Sequence, residues 1–429
     1  QSMPERSLFS DILNRIAGSS RRTKDTTEKP LAALCHDLLA EQGEASVLTR
    51  AQAILARLAT ASLDEKTAFF EQISATFGPD KQALDAAISA WQKGDVASAR
   101  ALHFAAEPQS QNLIRALNSV PGATAQLVNL RADLLALSRE KPALKGLDQD
   151  FQHLFASWFN RGFLEIRRIS WETPAHILEK IIAYEAVHEI TGWDDLRQRV
   201  GDPDRRLFAF FHPAMPSEPL IFVEVALTET IPSAIAPILS NTRKRITADE
   251  ASVAVFYSIS NCQKGLRGIS FGNFLIKQVV AELQRELPEL TSFVTLSPVP
   301  ALRTWAKNNA AALDAETAAT LAALAPEDRP TPELAAALAA TYLTKAKRGS
   351  GHTAFDPVAH FHLGNGAELH AIHPEADLSA RGLSNSWGVM VNYLYDGSKI
   401  EERHSAYAAK GTVAASKSVK ALAAEPKTA

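Results

Sequence analysis

The apolar residues of this chain change their period near residue 160, and that change limits what the chain can become. Up to that point they recur at helical spacing. Leu31, Leu38 and Leu39 begin one amphipathic run, and Ala51–Thr60 and Lys66–Ser74 continue the pattern between breaks at Gly78–Pro79 and Pro121–Gly122. The clearest stripe is Phe151, Leu154, Phe155, Trp158 and Phe159, one face of a helix. Asn160 and Gly162 stand where a left-handed cap would end it. Such an aromatic stripe reads as core packing, and no chemistry is assigned to it.

Beyond residue 160, short β-branched and aromatic runs alternate with amphipathic ones. Leu207–Phe211 and Leu220–Leu227 predict an antiparallel pair across a proline-rich loop. Val253–Ile259, the helix Asn273–Leu287 and Phe293–Leu296 predict a β-α-β unit. An alanine-rich stretch near 309–347, broken by Pro326, Pro330 and Pro332, predicts two inserted helices, and Phe361–Leu363, Glu368–Ile372 and Val389–Tyr395 read as the last strands. The expectation is a mainly α helical-bundle domain over residues 1–160, serving oligomerisation, then an α/β domain over 161–429.

Charge and cysteine content narrow the function. A net charge of −3 is unlike the basic surface of a nucleic-acid binder, so a polyanionic ligand must be held by local groups. Two cysteines, Cys35 and Cys262, argue against a disulfide framework. No apolar run approaches the ~20 residues of a membrane span. Gln1–Ser2 read as a cleavage scar ahead of Met3, no secretory pattern opens the chain, and Pro426–Ala429 carries no peroxisomal or retention signal. The expected location is cytoplasmic.

The most informative local text is Gln263–Lys264–Gly265–Leu266–Arg267–Gly268–Ile269–Ser270–Phe271–Gly272–Asn273, between a predicted strand and a predicted helix. Its glycines allow close backbone approach to a ligand, the helix start supplies free N–H groups, and Lys264 and Arg267 add positive charge. The spacing is neither the dinucleotide fingerprint nor the P-loop. It resembles the loop with which the GNAT acyl-CoA superfamily grips the coenzyme A pyrophosphate.

Several blocks then resemble one family. They are Arg167–Trp171, Tyr184–His188, Phe210–Pro213, Glu218–Leu220, Val225–Thr228, Phe256–Ser260, Gly272–Lys277, Leu296–Pro300, Phe361–Ala367 and Asn392–Tyr395. In this order they are similar to malonyl-CoA decarboxylases. The resemblance implies a GNAT-like catalytic domain after the helical one, homo-oligomers (dimer or tetramer), malonyl-CoA as substrate, acetyl-CoA as product and no cofactor. It also implies a catalytic pair, Ser297 and His362, and a coenzyme-binding loop over Arg267, Gly268, Ile269, Ser270, Phe271, Gly272 and Asn273. Tyr395 is a further candidate to line the same pocket, with core packing as its alternative role. Eukaryotic members carry glutamate where this chain has Ser270, so an acidic base in the loop is not implied.

The chemistry asks for little more. Loss of CO2 leaves two electrons on carbon 2, which the thioester carbonyl accepts as an enolate. The protein must orient the carboxylate, stabilise the enolate oxygen and return one proton to carbon. A histidine titrating near neutrality is the expected proton donor, with Ser297 orienting the substrate. Two other functions fit the loop: a GNAT-type acyltransferase and a non-catalytic acyl-CoA sensor. His352, His360, His362, His370 and His373 crowd one region, and on a strand His360 and His362 would share a face, but no further ligand set accompanies them, so no metal site is expected. Arg243–Lys244–Arg245 reads as a solvated basic run that could reach the coenzyme 3′-phosphate.

Overall fold

The computed structural model describes residues 29–94, 96–271, 275–310, 313–349 and 351–424. They form two compact units. One holds the described residues up to Leu164 together with His212–Glu218 and Gln263–Ser270. The other holds Glu165–Phe211, Pro219–Cys262 and the described residues from Phe271 onward.

The first unit is helical, as its periodicity predicts. Helices run over Leu31–Ala40, Glu44–Thr60, Leu63–Thr76, Lys81–Gln92, Val96–Ala105, Gln109–Asn118, Ala123–Leu137 and Lys145–Trp158. Ser62 and Glu65 form a reciprocal capping box at the third of these, and Asp80 caps the fourth. The aromatic stripe of the last helix is core: Phe151, Phe155 and Phe159 are buried and meet edge to face. This helix does not end on a left-handed residue. Phe159 closes it with φ −96°, and Asn160 instead accepts the Gly162 N–H to start a short 3-10 turn. His212 belongs here as a structural residue: Nδ1 accepts the Ala214 N–H, so Nε2–H donates to the Trp158 carbonyl at 2.9 Å.

The segment Gln263–Ser270 is held by the helix Ala123–Leu137. Arg131 is buried, its Nε bonded to Asp148 at 2.8 Å and its Nη1 to the carbonyls of Gly265 and Arg267 at 2.8 and 3.0 Å. Gly265 lies so close to that helix that a Cβ would sit 1.7 Å from the Val128 carbonyl oxygen.

The second unit is built on an eight-stranded sheet in the order β1-β2-β3-β4-β5-β8-β6, with β7 on β8. The strands are β1 (Glu165–Ile169), β2 (Arg205–Phe211), β3 (Ile221–Thr228), β4 (Val253–Asn261), β5 (Ser292–Thr295), β6 (Ser297–Pro298), β7 (Glu368–His373) and β8 (Met390–Tyr395). Only β4 and β5 are parallel, and the helix Leu275–Glu286 connects them in sequence, which is the expected β-α-β unit. Strands β2 and β3 are buried almost throughout, which explains their unbroken apolar text. The helices Ala175–Tyr184 and Trp193–Gly201 cover them with Ile177, Leu178, Ile181, Leu196 and Val200. The alanine-rich stretch is helical over Ala315–Ala323 and Pro332–Lys345, after a further helix at Leu302–Asn308.

One predicted strand is a helix. Phe361–Leu363 lies inside Pro357–Gly364. Asp356 caps it, accepting the N–H groups of Val358 and Ala359 at 2.9 and 2.8 Å, and Pro357 occupies the first turn.

Gly265→Ala is expected to destabilise the protein by about 3 kcal/mol or more, since a backbone carbonyl blocks the new methyl group. Gly78→Ala, where the new methyl group would meet nothing within 4 Å, should change stability by less than about 0.5 kcal/mol. Chemical denaturation of both variants checks this.

Candidate active site

The ladder of the sheet is broken next to Ser297. β4 pairs with β5 only as far as Phe256↔Thr295, followed by the Leu296 N–H on the Phe256 carbonyl. β4 then continues to Asn261 with no described ladder partner on that side, because β6 pairs with β8 instead. Across β3, the register jumps from Val225↔Phe256 to Glu224↔Ser258, so Tyr257 is the extra residue of a bulge. Side-chain hydrogen bonds hold the bulge: Tyr257 Oη donates to the buried Glu224 at 2.6 Å, and Ser258 Oγ donates to the half-buried Glu185 at 2.8 Å. Burial, reinforced by the neighbouring Glu185, pushes the Glu224 carboxyl well above the usual carboxylate range, while Arg199 opposes this from 3.3 Å.

Between β5 and β6, side chains replace missing ladder bonds to β8. Thr295 Oγ1 accepts the Tyr393 N–H at 3.1 Å, and Asn392 Nδ2 donates to the Thr295 carbonyl at 2.8 Å. Ser297 follows after one intervening residue, Leu296.

Ser297 and His362 are brought together although 65 residues separate them. Ser297 Oγ lies 3.3 Å from His362 Nε2, and Tyr395 Oη lies 2.7 Å from Nδ1. The imidazole also stacks on Tyr393, with ring centroids 4.6 Å apart. Ser297, His362 and Tyr395 are all buried, and none of the groups they hydrogen-bond carries a charge.

His362 does not titrate near neutrality. Burial lowers its pKa to about 3, so the ring is neutral and carries one N–H. Burial likewise pushes the Tyr395 phenol well above its ordinary value. Ser297 donates its only proton to Thr295 Oγ1 at 2.8 Å. The ring nitrogen facing Ser297 must therefore hold the proton, and Nδ1 accepts from Tyr395. The protons line up in one direction: Tyr395 O–H to Nδ1, Nε2–H to Ser297, Ser297 O–H to Thr295.

The loop Gln263–Ser270 alternates anchors with exposed residues. Gly265, Leu266 and Ile269 are buried, whereas Lys264, Arg267, Gly268 and Ser270 are exposed. Phe271 is buried, and Gly272 and Asn273 lie outside the described residues. Gly265 serves contact with a helix rather than approach of a ligand; Gly268 has φ +82°, which favours glycine. Arg131 holds the Gly265 and Arg267 carbonyls against the helix Ala123–Leu137.

The other sequence candidates separate. His360 and His362 sit on a helix, not on one face of a strand, and His360 bonds Tyr407 Oη at 2.9 Å. Among the described residues no group of three or more His, Cys, Asp or Glu could hold a metal ion. Arg243 and Arg245 of the basic run are committed to ion pairs, Arg243 with Asp202 and Asp204 and Arg245 with Asp202. Cys35 and Cys262 are buried and free. No described helix is long and apolar enough to cross a membrane. Thr295 and Arg131 have no sequence signal at all, because nothing in the text marks a threonine that completes a ladder or an arginine that grips a distant loop.

Comparison with known proteins decides the family. The malonyl-CoA decarboxylase C-terminal domain matches residues 162–429, and the N-terminal domain of the same family matches 77–159. The chain belongs to the malonyl-CoA decarboxylase family. It is a carboxy-lyase on that ground. The mitochondrial malonyl-CoA decarboxylase of Mus musculus is 31% identical over 94% of this chain and 87% of its own length. That of Anser anser anser is 36% identical over 67% of this chain and 64% of its own. The crystal structure of the malonyl-CoA decarboxylase from Rhodopseudomonas palustris superposes with a TM-score of 0.87 at 48% identity, covering 91% of this chain and 98% of that one. The enzyme from Agrobacterium vitis gives 0.86 at 48% identity, over 92% and 100%.

The burial of His362 makes a prediction about acid. The unfolded ring titrates near 6.5 and the folded one near 3, so between those values only the unfolded chain binds the proton. Stability contributed by the neutral ring is complete above 6.5 and is lost as pH falls toward 3. At pH 5 the loss amounts to about 2 kcal/mol. Asp356 works the other way, because burial raises its carboxyl to about 6. The measurement is therefore a difference: urea denaturation at pH 7.5 and pH 5 should show about 2 kcal/mol less acid destabilisation in His362→Gln than in the parent protein.

Proposed function

We propose that this protein converts malonyl-CoA to acetyl-CoA and CO2, with His362 delivering the proton and Ser297 orienting the substrate. The observation that carries this reading is the buried, uncharged hydrogen-bonded run Tyr395–His362–Ser297. The family membership supports the substrate class.

Each step has a residue suited to it. The open edge of β4 beyond Tyr257 suits an extended pantetheine arm, whose amides would pair with it as an added strand does. Its thioester would then lie at the level of Ser297, two residues beyond Thr295, the last β5 residue paired with β4. Separately, the loop residues Lys264, Arg267, Gly268 and Ser270 are exposed and suit an anionic group such as a pyrophosphate. The substrate carboxylate enters surroundings without a nearby charge, which favours its departure as neutral CO2. Ser297 O–H turns to the thioester oxygen and stabilises the enolate. Nε2 then gives its proton to carbon 2 while Nδ1 takes the proton of Tyr395; after the product leaves, one solvent proton enters at Nε2 as Nδ1 returns its proton to the Tyr395 oxygen, which restores both the phenol and the Nε2–H tautomer. The imidazole is neutral before and after, and one proton is consumed per CO2 released.

CO2 release from malonyl-CoA with no acceptor added is the deciding assay; an acyltransferase or a sensor would give none. His362→Ala should lower kcat by about 10²- to 10⁴-fold in a folded protein. Arg267→Ala should instead raise KM by about tenfold with little change in kcat, as loss of uniform binding does. Wild-type turnover in folded His362→Ala would refute the assignment.

Self-association belongs to the same proposal. The helix Lys81–Gln92 buries only Ala87 and the helix Val96–Ala105 only Ser98, while Ile88, Trp91, Val96 and Phe104 are exposed. Large apolar side chains left on one short stretch suit a contact with a second copy. Sedimentation should show an oligomer that dissociates in the double variant Trp91→Lys, Phe104→Lys.

A further inference from the structure

We propose that Thr295 is a positioning residue for the reaction: by accepting the Ser297 proton, it keeps His362 in the tautomer that presents Nε2–H toward the substrate. The inference rests on the proposed roles of Ser297 and His362.

The argument is one of donors and acceptors. Ser297 Oγ has two neighbours at hydrogen-bonding distance, Thr295 Oγ1 at 2.8 Å and His362 Nε2 at 3.3 Å. A hydroxyl has one proton, and here it goes to the threonine. Thr295 is fully buried and also accepts the Tyr393 N–H, so its place is fixed by the backbone of β8 rather than by rotamer preference alone. Its backbone carbonyl is tied to Asn392 Nδ2 as well. With the Ser297 proton held there, Nε2 must supply the hydrogen between ring and serine.

Without the threonine oxygen, the nearest remaining acceptor for Ser297 is Nε2 itself. The serine would donate to the ring, the ring would carry its proton on Nδ1, and Tyr395 would become the acceptor. Every proton of the run would then point away from the substrate, and proton delivery to carbon would first require the ring to change tautomer. In the parent protein no such change is needed. A substrate oxygen takes over from Thr295 as acceptor of the Ser297 proton, and the ring keeps its Nε2–H.

Thr295→Val preserves shape and removes the oxygen, whereas Thr295→Ser keeps the oxygen. The expected result is a loss of kcat of about tenfold or more in Thr295→Val with KM little changed, and near-parent kcat in Thr295→Ser. The 15N shifts of the His362 ring, assigned by their absence in His362→Gln, should report Nε2–H in the parent and in Thr295→Ser, and Nδ1–H in Thr295→Val. If Thr295→Val does not fold, Thr295→Cys, whose sulfur is a weak acceptor, takes its place with the same expectation. An unchanged tautomer in the folded valine or cysteine variant overturns the proposal, as does failure of Thr295→Ser to restore turnover. The tautomer is read without substrate, so it stands apart from the catalytic reading: wild-type turnover in Ser297→Ala would sink the roles given to the Ser–His pair, whatever the ring shifts report.

Discussion

His362 is buried among groups that carry no charge, and the organisation of the site follows from that. A buried imidazole with no carboxylate among its hydrogen-bond partners stays neutral, so it can offer one hydrogen and accept one. Tyr395 and Ser297 meet those two needs, and Thr295 decides which nitrogen has which role. In the mechanism proposed above, a neutral donor also suits the reaction. A cation beside the substrate carboxylate would stabilise the charge that must disappear when CO2 leaves, whereas hydroxyls and a neutral ring favour the carboxylate less.

The geometry depends on a sheet that stops being regular at one place. β5 loses its parallel partner after Thr295, β4 carries an extra residue at Tyr257, and β8 bonds a threonine hydroxyl where a carbonyl would stand. Each irregularity is satisfied by a polar side chain: the buried Glu224 for Tyr257, the half-buried Glu185 for Ser258, the buried Asn392 for the Thr295 carbonyl. Unsatisfied, such groups would be costly in this core. The polar residues of the central strands therefore mark where the ladder is broken.

Much of the architecture is legible in the text because period is a strong signal. The helical stretch, the antiparallel β2–β3 pair and the β4-helix-β5 unit all follow from where apolar residues recur. The helix carrying His362 reads as a strand because three residues, Phe361–His362–Leu363, have no period of their own. The Asp356–Pro357 pair just ahead of them is the helix-start signal that would have corrected the reading. The Ser–His pair comes from resemblance to a family, not from spacing, and its meeting across 65 residues is a tertiary fact no local pattern contains. The same holds for the pKa of His362. A free histidine suggests an imidazolium donor, and only burial reverses that.

The loop Gln263–Ser270 follows β4 in sequence, yet the contacts that shape it belong to the helical unit: Arg131, braced by Asp148, on its carbonyls, and Val128 against Gly265. Matching by sequence divides the family between residues 159 and 162, but folding does not respect that division. A fragment starting there would keep every strand and every member of the Ser–His–Tyr run while leaving this turn without its scaffold. The N-terminal helices therefore hold this turn in place, and a gene encoding only the second half would specify the sheet with its 263–270 loop unsupported.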